Sequence, residues 1–148
     1  LKRGALRARL FQFHLQHEYL LRAHDPAAAE RLAGLLRAGR RRRTAEEHDS
    51  VLAQTYLEGF HGALQRSPTR QTHGDVLMQL AFSASERITS AERAVLDETI
   101  LAYRRGRQPL ESPLTILNEV SDAHGITALR EQVYLKPHPY ETLLLRVR

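Results

Sequence analysis

Three histidines, two arginine-bearing stretches and one run of four arginines hold the residue types in this chain that could do chemistry. In "HLQHEYLLRAH", His14, His17 and His24 fall on one face of a helix, because steps of three, four and three residues by way of Leu21 keep to one side. At the standard rise, His14 and His24 stand about 15 Å apart along the axis, so they cannot ligate one ion together. His14 with His17 makes at most half a metal site. The spacing also differs from H-E-x-x-H, which sets a general base beside two zinc ligands. Such histidines serve equally well as hydrogen-bonded, half-buried groups or as donors to a phosphate. In "SPTRQTHGDVLMQ", Arg70, His73 and Asp75 lie within two turns of a helix start, where free amides and the dipole favour an anion. In "YRRGRQPLESPLT", Arg104, Arg105 and Arg107 surround a helix end, a position that also suits simple capping. Arg40, Arg41, Arg42 and Arg43 form the run, placed between two helices.

No set of residues for independent catalysis accompanies these groups. There is no G-x-S-x-G elbow, no phosphate-cradling glycine loop followed by lysine and no dinucleotide fingerprint. Glu46, Glu47, Asp97 and Glu98 fall on polar helix faces, where solvation is the default. The chain has no cysteine, which removes thiolate metal sites and cysteine nucleophiles. The expectation is therefore a protein with no catalytic residues, metal or cofactor of its own. The charge points elsewhere. A formal net charge of +5 divides into +8 over residues 1–43, eleven basic against three acidic, and −3 over the remainder, eleven against fourteen. Twenty of the 22 basic residues are arginine, whose forked guanidinium suits phosphate oxygens. Arginine-rich coding would explain the residue type but not its clustering, and a sided distribution is a footprint for polyanions. No window approaches the roughly 18 apolar residues of a membrane span, and "LKRGALRARLFQFH" lacks the apolar core and cleavage site of a leader. A cytoplasmic location with no membrane partner is expected. The start at Leu1 reads as a trimmed chain or one domain of a longer polypeptide.

Positioning these groups falls to helices, since apolar residues recur at helical spacing and nowhere alternate for long. The 148 residues predict an all-α, compact single-domain bundle of six to seven helices with a short irregular C-terminal tail. The first helix covers about 3–24, with Leu6, Leu10, Phe13, Leu20 and Leu21 inward. Asp25 caps a second that has Pro26 in its first position and stops at Gly39. Thr44 and Glu47 form a capping box for a third, which carries Leu52, Tyr56, Phe60 and Leu64. Ser67-Pro68 is expected to open a fourth, with His73, Leu77, Leu80, Ala81, Ala84 and Ile88 on its stripe. Thr89 and Glu92 box a fifth that buries Leu96, Ile100 and Tyr103 and ends at Gly106. Ser112-Pro113 opens a sixth ending near His124-Gly125. "TALREQVYL" supplies one more short helix, and "ETLLLRV" in the tail could be a strand.

Separated blocks in the same order, "RGAL", "FHLQHEYLLRAH", "PTRQTHGDVLM", "YRRGRQPLESPLTIL" and "LREQVYLKPHP", resemble the bacterial YbgA-like domain of unknown function. The chain departs from that pattern at Glu18, Asp75, Gln79 and "AFSASER", and two of the departures introduce carboxylates. The family is found alone and fused behind thiouracil-desulfidase-like domains, fusions that look like enzymes removing sulfur from 4-thiouridine in transfer RNA. The resemblance thus implies an accessory domain that holds tRNA or another structured RNA beside a modifying or desulfurising enzyme. The binding groups would be Arg70, His73, Arg104, Arg105 and Arg107, with His14, His17 and His24. Arg40 to Arg43, outside the matching blocks, would serve as an auxiliary phosphate clamp. Two other readings stay open: a protein-interaction module docking an acidic partner, and a small hydrolase-like enzyme using the histidine face with Asp75.

Overall fold

A computed structural model describes the backbone of residues 5–40 and 46–136, with side chains at 5–38 and 49–136. The fold is all-α, with seven α-helices, a 3-10 turn and no strand among the described residues. The chain divides into two compact units, residues 1–68 and 69–148.

The first unit packs α1 (Ala5–His24), α2 (Pro26–Arg40) and α3 (Glu46–Leu64) against one another. Asp25 caps α2 as expected: its Oδ1 accepts from the Ala28 amide at 3.1 Å, and Pro26 takes the first helical position, where no amide is needed. The helix runs through Gly39 to Arg40 instead of stopping there. Glycine ends a helix where it takes left-handed backbone, which Gly106 and Gly125 do; inside a helix it merely costs about 1 kcal/mol. The core gathers Leu10, Leu21, Leu32, Leu36 and Tyr56, with Phe13, Leu52 and Phe60 packed on it. Arg7 pairs with Asp49 to tie α1 to α3, and Arg22 pairs with both Glu18 and Glu30.

The second unit holds α4 (Arg70–Ala84), α5 (Ser90–Arg104), α6 (Glu111–Ala123), the single turn α7 (Thr127–Arg130) and a 3-10 turn at Val133–Leu135. Leu77, Leu80, Leu96, Leu117 and Leu135 fill its core. The expected box at Thr89 and Glu92 is present, with amide bonds of 3.1 and 2.8 Å. His124 Nε2 donates to the same Glu92 carboxylate at 2.8 Å, and the Thr89 amide together with His124 holds that carboxyl below its usual range. Gly106 and Gly125, at φ +75 and +58, end α5 and α6 in paired main-chain bonds. Arg107 N reaches Ala102 O at 2.8 Å in the first, and Ile126 N reaches Ser121 O at 2.9 Å in the second.

Further boundaries differ from expectation. The cap of α4 is Thr69, not Ser67: Thr69 and Thr72 exchange hydroxyl-to-amide bonds of 3.0 and 2.9 Å, a reciprocal box with threonine in place of glutamate. That helix ends at Ala84, short of Ile88, because the Ser83 and Ser85 hydroxyls bind main-chain carbonyls near its end and compete with the ladder. In α6, Ser112 and Pro113 lie inside the first turn, where a missing amide costs nothing, and Leu110 precedes it without a side-chain cap. The expected last helix is split into α7 and the 3-10 turn, which Asn118 Nδ2 clamps to α6 through Leu135 O at 2.8 Å. The start of the first helix before Ala5, the box at Thr44, the arginines at 41–43 and the tail 137–148 lie outside the described residues, as does the Arg40 side chain.

Candidate functional site

Because Thr69 caps α4, Arg70 becomes its first helical residue, and its side chain reaches the end of α5. Nη1 donates to Tyr103 O at 2.7 Å, and the guanidinium carbon lies 5.2 Å from the Tyr103 ring centre. That carbonyl also accepts from Gly106 N at 2.9 Å, so Arg70 completes the closure of α5 and meets the negative end of its dipole. A β-carbon at Gly106 would stand 3.8 Å from the Arg70 guanidinium, in ordinary contact. Burial raises the pKa of the Tyr103 hydroxyl, against the opposing pull of Arg70 and Arg104.

One turn further along α4, Gly74 leaves room that Arg104 occupies. A β-carbon there would fall 2.7 Å from the guanidinium carbon of Arg104 and 2.9 Å from Nε, so the cation lies against bare helix backbone. Arg104 Nη2 donates to Asp75 Oδ1 at 2.7 Å and stands 3.0 Å from Met78 Sδ. Its Nε is buried with no acceptor among the described residues. Arg105 and Arg107 flank Gly106, are exposed and have no carboxylate within ion-pair reach among the described residues. Four of the expected site residues, Arg70, Arg104, Arg105 and Arg107, are thus brought to one end of the α4–α5 pair, where Asp75 pairs with Arg104.

His73 does not join them at the surface. It shares the inward stripe of Leu77, Leu80, Ala81 and Ala84, is 3 % exposed, and bonds through Nδ1 to the Tyr134 hydroxyl at 2.6 Å. Burial pushes the Tyr134 hydroxyl pKa up and keeps it neutral. A direct phosphate contact by His73 is therefore corrected to a core role.

The histidine face of α1 is likewise distributed among separate partners. His14 is 4 % exposed, with Nδ1 2.8 Å from the Tyr56 hydroxyl. Burial lowers the His14 pKa; Glu18 and Glu30 pull it upward, and Arg22 and Arg37 downward. His17 donates from Nδ1 to Phe13 O at 2.7 Å and stacks on the Phe13 ring at 3.9 Å. His24 donates from Nδ1 to Arg66 O at 2.7 Å. Three ring nitrogens are thereby committed to three different groups; buried His14 is corrected to a core role, while His17 and His24 stay partly exposed. Among the described residues no group of three histidine, aspartate or glutamate side chains is arranged to hold a metal. Among the described residues no helix is long and apolar enough to cross a membrane.

Sequence reasoning missed the partners more than the actors. Gly74 carried a signal, since a glycine inside a helical pattern marks close approach of another group. Tyr134, 61 residues from His73, carried none. A family profile described as a protein of unknown function (DUF1722) matches residues 18–139, and the chain belongs to that family. No curated protein and no solved structure matches it.

Proposed function

We propose that this member of the unknown-function family binds structured RNA, with transfer RNA as the first candidate, through the arginines at the joined ends of α4 and α5. The observation that carries the reading is their arrangement. Arg104 is ordered by Gly74 and Asp75, Arg70 by the Tyr103 carbonyl, and Arg105 and Arg107 project beside them. Fixed guanidinium groups beside exposed ones suit a folded phosphate backbone, which is read through shape, phosphate and 2′-hydroxyls. Asp75 lowers the local charge but holds Arg104 in one place, so less side-chain freedom is lost when a phosphate arrives. On this reading the catalysis belongs to a fused or partner enzyme that modifies or desulfurises the RNA, as the resemblance in the sequence implies.

Gel-shift titration with tRNA across a salt series tests it. Binding should weaken linearly on logarithmic axes, with a slope of about −0.7 to −0.9 per phosphate contacted. No shift at low salt, or an affinity indifferent to salt, would remove the reading.

A further inference from the structure

Beyond Arg104, towards its C-terminal end, α4 exposes an apolar ledge that folding does not use. Phe82 is 75 % exposed and Met78 55 %, and they are one helical turn apart on the same face. Scattered surface apolar residues are ordinary. This pair is continuous with the cation, since the Met78 sulfur lies 3.0 Å from Arg104 Nη2. A flat aromatic ring within about one turn, roughly 5.4 Å of rise, of a residue touching an ordered guanidinium matches the two halves of a nucleotide. The base has a π-face that stacks on an aromatic side chain, and its phosphate is an anion for arginine.

We propose that Phe82 is a base-stacking platform, and that the RNA segment bound here contains an unpaired nucleotide whose base covers Phe82 while a neighbouring phosphate meets Arg104. The inference rests on the RNA-binding reading and narrows it. Bases inside a duplex cannot reach an exposed ring on a helix side, whereas a splayed base from a loop or single strand can. Charge complementarity selects this occupant over an apolar protein surface, which would offer Arg104, Arg105 and Arg107 no anion beyond the Asp75 carboxylate that Arg104 already meets.

The chain has no tryptophan, so Phe82→Trp introduces a single tryptophan at the ledge, whose emission is separable from that of the five tyrosines. The probes are a single-stranded oligoadenylate of about ten nucleotides and a blunt RNA duplex of the same length. The single strand should quench the Trp emission and the duplex should not, with quenching lost in the Arg104→Gln background. Phe82→Ala should weaken oligoadenylate binding about 5- to 150-fold, the range for one stacked base. Circular dichroism should show both variants folded, since the position is exposed. If tRNA binds the wild type and Phe82→Ala equally and the Trp is not quenched, the stacking inference falls and the RNA reading stands. If the wild type binds none of the oligoadenylate, the duplex and tRNA, both fall. If the wild type sediments as a dimer and Phe82→Ala as a monomer, the ledge is a protein interface and the inference is overturned.

Discussion

Each unit buries one histidine against one distant tyrosine, His14 on Tyr56 in the first and His73 on Tyr134 in the second, yet the arginines that bridge the long helices of each unit are held differently. In the first, Arg7 and Arg22 are matched with Asp49, Glu18 and Glu30. In the second, Arg70 is held by a main-chain carbonyl, Arg104 by one carboxylate, and Arg105 and Arg107 stand exposed next to them. Residues 1–43 carry the larger positive excess, but the ordered cationic cluster sits in a unit rich in acidic residues. The histidine–tyrosine pairs are scaffolding on this account, and the arginines around Gly74 and Gly106 are the surface that acts.

The largest effect should come from the scaffold of the first unit. Tyr56 is fully buried among Phe13, Phe60 and His14, and Tyr56→Ala should cost about 3 to 5 kcal/mol in urea denaturation. A cost under about 1 kcal/mol would mean that the cluster is not packed as described. Tyr134→Phe keeps the ring but removes the hydroxyl that bonds His73, for an expected loss of about 1 to 3 kcal/mol. Its tRNA affinity, measured well below the melting transition, should equal that of the wild type, whereas Arg104→Gln should show the reverse pattern. Equal loss of binding in both variants would break the division between scaffold and surface.

A pH titration gives the next smaller effect. Burial holds the His14 pKa below 6.5, so the neutral ring belongs to the folded state and the unfolded chain takes up the proton first. Its contribution is fully present above the unfolded value of about 6.5 and is lost as pH falls through the lowered folded value. Urea midpoints should therefore drop on acidification from pH 7, and His14→Gln should flatten the drop. The smallest change in stability is expected at Gly74→Ala. The new methyl meets the movable end of Arg104, and alanine favours helix by about 1 kcal/mol. Stability should stay within about 1 kcal/mol of the wild type, while tRNA affinity falls because Arg104 is pushed from Asp75.

The helical periods, the Asp25-Pro26 start, the Thr89 box and the two helix-ending glycines were legible in the sequence because each is decided by residues within one or two turns. The Thr69–Thr72 box is less legible, because threonine stands where such a box usually has glutamate, although the hydroxyl serves the same amide. Arg70, Arg104, Arg105 and Arg107 were legible as cations near helix ends. Their seats were not, because Tyr103 lies 33 residues from Arg70 and Asp75 lies 29 from Arg104. His73 was named both as a core-stripe residue and as a phosphate donor. The stripe decided, since its apolar neighbours at helical spacing turn it inward whatever its chemistry.

The central claim is that the arginines at the α4–α5 end supply the phosphate contacts. The salt dependence of tRNA binding, compared between the wild type and the Arg104→Gln/Arg105→Gln/Arg107→Gln triple variant at equal foldedness, tests it most directly. The account predicts that the triple variant binds more weakly and that its logarithmic slope is shallower by up to three contacts, about 2 to 3 in all. An unchanged slope and affinity in the triple variant would contradict it.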